Sequence, residues 1–251
     1  MKLEEFFGEV KEAAAAFSGG VDSAFLLWAA KTCGCRVRAY YARTVFQPAF
    51  ELEDARRLCR ELDVPLSIVD VDILAVPEVL ANGPERCYYC KQALFSALWD
   101  AARQDGFDTM LDGTNASDDA GDRPGMRALR ELEVRSPLRE CGITKSQVRA
   151  MSKEAGLFTW NKPAYACLAT RIPTGTAIEA PVLQAVEQAE AALTELGFSD
   201  FRVRVLKTAA RIQITEDQMP LVMEKRAKIT GRLRAWFPAV LLDLEPRKAS
   251  D

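Results

Sequence analysis

Short apolar runs and stretches with helical spacing of apolar residues alternate along the first two-thirds of the chain. The short runs predict strands and the spaced patterns between them predict helices. The predicted strands are Ala13–Phe17, Val37–Arg43, Leu66–Val71, Phe107–Leu111 and Glu133–Ser136, and the predicted helices are Ser23–Thr32, Phe50–Leu62, Tyr88–Arg103 and Thr144–Glu154. This alternation is typical of an α/β fold with a parallel sheet, in which ligands bind beyond the carboxyl ends of the strands.

A second, smaller unit is predicted after an aperiodic segment, residues 156–176, which prolines and glycines interrupt. Beyond it, Ala180–Leu196 and Glu216–Gly231 have helical patterns, Phe201–Leu206 and Arg211–Thr215 resemble paired strands, and Val240–Leu244 resembles a last strand. We therefore predict an α/β domain over residues 1–170 and a smaller C-terminal α+β domain over residues 171–251.

The motif Ser18-Gly19-Gly20-Val21-Asp22-Ser23 stands between the first predicted strand and the first predicted helix. Its glycines let backbone N–H groups approach an anion, its serines supply hydroxyls, and the helix start adds the positive end of its dipole. The Lys-Ser/Thr ending of a Walker A loop is missing, so γ-phosphoryl transfer is not indicated. We interpret the motif as a phosphate-binding turn; the alternative is a Ser/Gly turn that only caps the helix.

Composition narrows the chemistry of the chain. Its 251 residues carry a net charge of −3 without a long Lys/Arg run, which argues against a large nucleic-acid partner. Zero histidines remove the usual general base and the commonest metal ligand. Adenylylation of a carboxylate fits this limit, because an ionised carboxylate attacks phosphorus without losing a proton. Since neither a targeting segment nor a membrane span is visible, we expect a cytoplasmic enzyme that acts on a small molecule.

An Asp-rich turn, residues 112–119, follows the predicted strand that ends at Leu111. It is expected at the same sheet edge as the phosphate turn. Asp112 or Asp118 can hold Mg²⁺ there, since a hard cation binds carboxylate oxygen. The alternative is a turn built only from Asx hydrogen bonds.

Cys87 and Cys90 are three residues apart at a predicted helix start, so their thiolates can bind one metal. Cys167 lies between Lys162 and Arg171, whose charges would lower its pKa, and it is the best single nucleophile. Together the three can hold a cubane iron–sulfur cluster with one iron open. Three buried thiols, a thioredoxin-like redox pair and a four-thiolate zinc site are the alternatives. The remaining cysteines, Cys33, Cys35, Cys59 and Cys141, are expected in the core, at a helix end or in a turn.

Arg202 and Arg204 alternate with apolar residues on a predicted strand, so both guanidinium groups face one side. Two arginines placed in this way suit a phosphate group. A solvated strand face is the alternative.

Six motifs, taken in chain order, resemble the LarE family of ATP-dependent sulfur transferases of nickel-pincer cofactor synthesis. They are SGGVDS at 18–23, ERCYYCKQALF at 85–95, LDGTNASD at 111–118, DRPGMRAL at 122–129, SPL at 136–138 and NKPAYACLATRIPTG at 161–175. The match extends from about residue 5 to about residue 245. The resemblance implies a PP-loop ATP pyrophosphatase sheet, similar to the adenine nucleotide alpha hydrolases, followed by a domain for substrate binding and oligomerisation.

The resemblance also implies the reaction. ATP and Mg²⁺ would adenylylate the carboxylates of a pyridinium biscarboxylic acid mononucleotide, which then become thiocarboxylates. Cys167 matches the sulfur-delivering cysteine of the family. In the three-cysteine branch Cys87, Cys90 and Cys167 hold a [4Fe-4S] cluster, whereas in the single-cysteine branch that cysteine loses its own sulfur and becomes dehydroalanine. The sulfur donor is unidentified, and a homo-oligomer is expected.

The expected site residues follow from the same resemblance. Gln213 stands where an acidic residue is expected in the second domain, which argues against a metal site there. Arg202 and Arg204 match the arginines that bind the substrate phosphate. The nucleotide and its metal are expected to contact Ser18, Gly19, Gly20, Asp22, Ser23, Thr44, Gly113, Asn115, Asp118 and Arg123.

Three other functions fit parts of the pattern. A PP-loop tRNA thiolase also couples this loop to three cysteines, although the acidic charge argues against tRNA. An ammonia-dependent adenylylating synthetase would not need the three cysteines. A non-catalytic nucleotide-binding regulator would release no pyrophosphate.

Overall fold

The structure is a computed structural model that describes residues 2–118 and 124–248. The chain divides into two compact units, Met1–Val79 with Glu85–Lys162, and Leu80–Pro84 with Pro163–Asp251. This division falls ahead of Cys167, whereas the predicted boundary at residue 170 placed that cysteine in the first domain. The difference has a physical cause, because the segment around Cys167 is hydrogen-bonded to strands and helices of the second unit.

The first unit contains a parallel sheet, which confirms the predicted α/β class. Its strands in the described residues are β1 (Glu12–Ala16), β2 (Arg36–Arg43), β3 (Leu66–Asp70) and β4 (Met110–Leu111), in the order β3-β2-β1-β4. The predicted strand at residues 133–136 was wrong. Glu133 adopts a positive φ of 53° and Pro137 begins a helix, so pairing is limited to one bridge between Leu111 and Arg135.

Helices cover both faces of this sheet. The alanines of β1 alternate between two cores: Ala13 and Ala15 pack with the first helices of the chain, and Ala14 packs with Leu98 and Trp99. The helices are α1 (Leu3–Glu9), α2 (Val21–Thr32), α3 (Ala49–Glu61), α4 (Pro77–Leu80), α5 (Arg86–Gln104), α6 (Pro124–Glu131), α7 (Pro137–Glu140) and α8 (Lys145–Glu154), with 3-10 turns at Ile73–Ala75 and Phe158–Asn161. None of the helices in the described residues is long and apolar enough to cross a membrane.

The second unit has the expected mixture of helices and strands. In the described part of it, β5 (Arg202–Leu206) pairs antiparallel with β6 (Ala209–Gln213), which pairs parallel with β7 (Ala239–Leu242). Helices α9 (Ala180–Glu195) and α10 (Met219–Leu233) accompany this sheet, and 3-10 turns occur at Leu168–Arg171 and Glu216–Gln218. The predicted strands Arg211–Thr215 and Val240–Leu244 therefore end two residues too late.

Candidate active site

The phosphate turn lies where the sequence predicted it, between β1 and α2. Gly19 has a φ of +72°, and a Cβ atom on it would lie 2.9 Å from the carbonyl oxygen of Glu51. A Cβ atom on Gly113, in the turn after β4, would lie 2.8 Å from the backbone nitrogen of Ser23. The phosphate turn thus packs backbone against backbone with α3 at Gly19, and the turn after β4 packs in the same way against the start of α2 at Gly113. Both positions require glycine.

Two serine hydroxyls hold the turn in shape. The Ser18 and Ser23 hydroxyl oxygens are 3.2 Å apart, and the Ser23 hydroxyl donates to the carbonyl of Gly20 over 3.2 Å. The N–H of Gly20 contacts the Ser18 hydroxyl only at 3.4 Å. This long contact leaves the N–H available to a stronger acceptor, such as a phosphate oxygen.

Asp22 connects three distant parts of the first unit. Its carboxylate accepts a hydrogen bond from Asn115 over 3.2 Å and pairs with the ammonium of Lys145 over 2.5 Å. Lys145, at the start of α8, was not among the predicted site residues. A magnesium ion at Asp22 would therefore share this carboxylate with an ammonium group.

The Asp-rich turn divides its carboxylates between two roles. Asp112 is buried, and its oxygens accept from the hydroxyls of Ser136 over 2.6 Å and Thr114 over 2.5 Å. Asp118 is exposed, and its carboxylate accepts the N–H of Asn115 over 2.8 Å. Asp112 thus serves the turn itself, and Asp118 fits a hard cation better because it faces solvent.

A cavity of about 310 Å³ opens between the phosphate turn and the Asp-rich turn. This volume suits part of a small ligand. Its walls combine the polar groups of both turns with apolar and aromatic side chains from β2 and α5; they include Ser18, Gly20, Asp22, Ser23, Tyr40, Gln47, Lys91, Phe95, Asp112, Gly113 and Asp118.

Lys91 is the cationic side chain among the described residues that line this cavity. Burial lowers the pKa of its ammonium, while the carboxylates of Asp112 and Asp118 oppose that shift. Sequence reasoning missed Lys91, although it lies four residues after Cys87 and therefore on the same face of α5. An ammonium here can approach a bound anion.

Thr44, which was also predicted to contact the nucleotide, is not among the residues that line the cavity. Thr44 donates its hydroxyl to the side chain of Gln47 over 2.6 Å and accepts the N–H of Phe46 over 3.0 Å, so it stabilises the turn after β2. Gln47 lines the cavity and was not predicted. Arg123 lies outside the described residues.

The three predicted cluster cysteines occur in two units. Cys87 is exposed in the first turn of α5, Cys90 is half-buried one turn later, and Cys167 precedes the 3-10 turn of the second unit. Cys87 and Cys90 fit two positions on one metal centre, because residues three apart share a helix face. Within either unit, the described residues contain no group of three or more Cys, Asp or Glu side chains arranged to hold a metal. The joint role of the three cysteines stays a prediction.

The remaining cysteines are poor nucleophiles. Burial raises the pKa of Cys35 to about 11 and that of Cys59 to about 12. It also raises the pKa values of Cys33 and Cys141. All four are therefore protonated thiols near neutral pH.

Three arginines hold the segment that carries Cys167. Arg202 donates to the carbonyl of Ala164 over 2.5 Å, and Arg171 donates to that of Ala166 over 2.9 Å. On the other side of the cysteine, Arg204 donates to the carbonyl of Thr170 over 2.8 Å. Arg202 is buried, so the solvated-face interpretation was wrong for it.

Glu190 on α9 anchors this arrangement. Its buried carboxylate accepts hydrogen bonds from the hydroxyl of Tyr165, from Arg171 over 2.8 Å and from the N–H of Val203 over 2.9 Å. Glu190 and Arg171 are both almost fully buried, so each provides the counter-charge that compensates the burial of the other.

Positive charge accumulates around Arg202. Burial and the neighbouring Arg171 and Arg247 lower the pKa of Arg202 to about 10.

Gln213 accepts a hydrogen bond from Arg204 over 2.6 Å and donates to Asp243 over 2.7 Å. An amide performs this bridge between a cation and a carboxylate because it both accepts and donates. Gln213 thus serves a hydrogen-bond relay at the position where an acidic residue was expected.

Comparison with known proteins gives relatives along nearly the whole chain. An uncharacterised protein of Synechocystis is 38% identical over 218 residues, which are 86% of this chain and 81% of its own length. The pyridinium-3,5-bisthiocarboxylic acid mononucleotide synthase of Lactiplantibacillus plantarum is 33% identical over 94% of this chain and 87% of its own length. A tRNA-specific 2-thiouridylase of Clostridium botulinum is 26% identical over 59% of this chain and 51% of its own length. No protein-family model matches the chain.

Proposed function

This chain belongs to the LarE family of PP-loop sulfur transferases, and from that premise we propose that it converts the carboxylates of a pyridinium biscarboxylic acid mononucleotide into thiocarboxylates. It is an enzyme of the ATP-using PP-loop class. The observation that carries the proposal is the cavity of about 310 Å³ beside the phosphate turn, in a chain that matches a synthase of this reaction class over 94% of its length.

The first step is adenylylation of a carboxylate. A carboxylate oxygen attacks the α-phosphorus of ATP, the bond from that phosphorus to the oxygen bridging the β-phosphate breaks, and pyrophosphate leaves with the electron pair. No proton must be removed, so a chain without histidine can perform the step.

The protein positions the phosphates and neutralises their charge in this step. The N–H of Gly20, the Ser23 hydroxyl and the start of α2 bind phosphate oxygens, and Lys91 supplies a cation. Asp22 and Asp118 would hold Mg²⁺, which neutralises the charge of the leaving pyrophosphate when bound.

The second step replaces adenylate by sulfur. A sulfur nucleophile attacks the acyl carbon, and AMP leaves. Cys87, Cys90 and Cys167 would hold a [4Fe-4S] cluster, which would supply the sulfur for this step as sulfide. Arg171, Arg202 and Arg204 hold the segment around Cys167 in place for this step. The second unit also binds the substrate phosphate through Arg202 and Arg204.

An anaerobic preparation tests both steps. The sample should contain about four irons per chain if the cluster is the cubane type, and Cys87→Ala, Cys90→Ala and Cys167→Ala should each bleach it. With ATP–Mg²⁺ and the mononucleotide it should release pyrophosphate and AMP. Release of orthophosphate and ADP would contradict the adenylylation step. A colourless protein that turns over once, with Cys167 converted to dehydroalanine, would show that the sulfur comes from Cys167 itself. It would contradict the proposed cluster.

A tRNA thiolase is the second candidate, because tRNA-specific 2-thiouridylases are distant relatives. The net charge of −3 argues against it, since tRNA binding needs clustered cations. Binding of unmodified tRNA at low salt, with pyrophosphate release that depends on tRNA, would favour this candidate.

A further inference from the structure

Lys162 contacts the phosphate turn, although it lies far from it in the sequence. Its ammonium donates to the carbonyl oxygen of Gly19 over 3.1 Å and to the carboxylate of Asp54 on α3 over 2.7 Å. The side chain is largely buried, with 16% of its surface exposed, and the ammonium lies 5.2 Å from the ring centroid of Phe50. The lysine therefore occupies a defined position between the turn and α3.

The backbone of Lys162 is also fixed. Arg149 on α8 donates to the carbonyl of Trp160 over 2.9 Å and to the carbonyl of Lys162 over 3.1 Å. Because hydrogen bonds hold both its backbone and its ammonium, Lys162 keeps its ammonium in a fixed position against the phosphate turn.

The contact with the carbonyl of Gly19 has a consequence for the next N–H group. A peptide unit is planar, so the carbonyl of Gly19 and the N–H of Gly20 point in opposite directions. Glycine adopts several backbone conformations at little cost, and a Gly-Gly peptide can rotate as a unit. A donor that holds the carbonyl on one side therefore keeps the N–H of Gly20 directed to the other side.

We propose that Lys162 is a positioning residue for nucleotide binding, which orients the Gly19–Gly20 peptide so that the N–H of Gly20 is presented to a phosphate of ATP. This inference rests on the proposed function, in which the turn binds ATP. The competing explanation is that Lys162 only neutralises Asp54. The two explanations differ in the effect of removing both charges.

The test measures the affinity for α,β-methylene-ATP with Mg²⁺, because this analogue resists cleavage between the α- and β-phosphates. Lys162→Met keeps the apolar stem and removes the donor. Lys162→Met combined with Asp54→Leu removes the donor and the carboxylate together, so neither charge of the pair stays without its partner. Lys162→Arg retains both charge and donors. Lys153→Met is the matched control, since Lys153 is an exposed lysine whose ammonium lies 4.8 Å from the ring of Trp160.

The proposal predicts that Lys162→Met and the double variant both weaken binding at least about tenfold, the effect of losing one hydrogen bond from a charged donor. KM for ATP should rise with little change in kcat or in KM for the mononucleotide, and Lys162→Arg should recover most of the affinity. Lys153→Met should bind as the unchanged protein does.

Two results would overturn the inference alone. One is analogue binding by Lys162→Met that equals that of the unchanged protein. The other is recovery of affinity in the double variant, which would assign Lys162 to the neutralisation of Asp54. Failure of the unchanged protein to bind the analogue would overturn the proposed function together with the inference. Thermal unfolding of each variant identifies any that has not folded.

Discussion

Replacement of Glu190 by alanine should destabilise the second unit strongly. The carboxylate accepts hydrogen bonds from Tyr165, from the Nε and one terminal nitrogen of Arg171 and from the backbone of Val203. The side chain of Arg171 is only 1% exposed, so Glu190→Ala leaves a buried guanidinium without its counter-charge. Breaking a buried pair in this way costs about 3–5 kcal/mol. That is a large share of a typical stability of about 5–15 kcal/mol.

Urea unfolding measures this loss as a lower midpoint, and thermal unfolding measures it as a lower Tm. At about 2–4 °C per kcal/mol, Tm should fall by about 10 °C. Glu195→Ala is the matched control, because Glu195 ends the same helix and pairs with Arg232 at the surface. That change should cost less than about 1 kcal/mol. Equal small losses in both variants would refute the assignment of Glu190 as the anchor of the Cys167 segment.

Three further predictions concern binding. Gly19→Ala should abolish ATP binding measured by calorimetry, because its Cβ would lie 2.9 Å from a carbonyl oxygen at a φ of +72°; unchanged affinity would contradict the fitted geometry of the turn. Lys91→Met should weaken ATP binding at least about tenfold through loss of a charged contact, and an unchanged Kd would remove Lys91 from the site. Arg202→Ala and Arg204→Ala should each weaken binding of the mononucleotide about tenfold or more with ATP binding intact, whereas unchanged affinity for the mononucleotide in both would exclude them as its phosphate ligands.

The sequence predicted the elements that local signals specify. The residues Ala13–Ala16 prefer helix by intrinsic propensity, yet they form β1, as the phosphate turn that follows them indicated. The strand at residues 133–136 was predicted from side chains alone, whereas the positive φ of Glu133 and the helix at Pro137 prevent it. Local apolar pattern does not report such backbone constraints.

The contacts that organise the site were harder to predict because their partners are remote along the chain. Lys145 is 123 residues from Asp22, and Lys162 is 143 residues from Gly19. No spacing rule connects residues at such separations. The helical spacing of four residues could have identified Lys91, since this spacing places it on the same face of α5 as Cys87.

Transfer of oxygen from substrate to AMP tests the central claim most directly. The mononucleotide is prepared with ¹⁸O in its carboxylates and incubated anaerobically with the protein, ATP and Mg²⁺, and the AMP is analysed by mass spectrometry. Adenylylation followed by sulfur attack at the acyl carbon predicts AMP that carries one ¹⁸O atom for each thiocarboxylate formed. AMP without ¹⁸O, or ADP as the nucleotide product, would contradict the account.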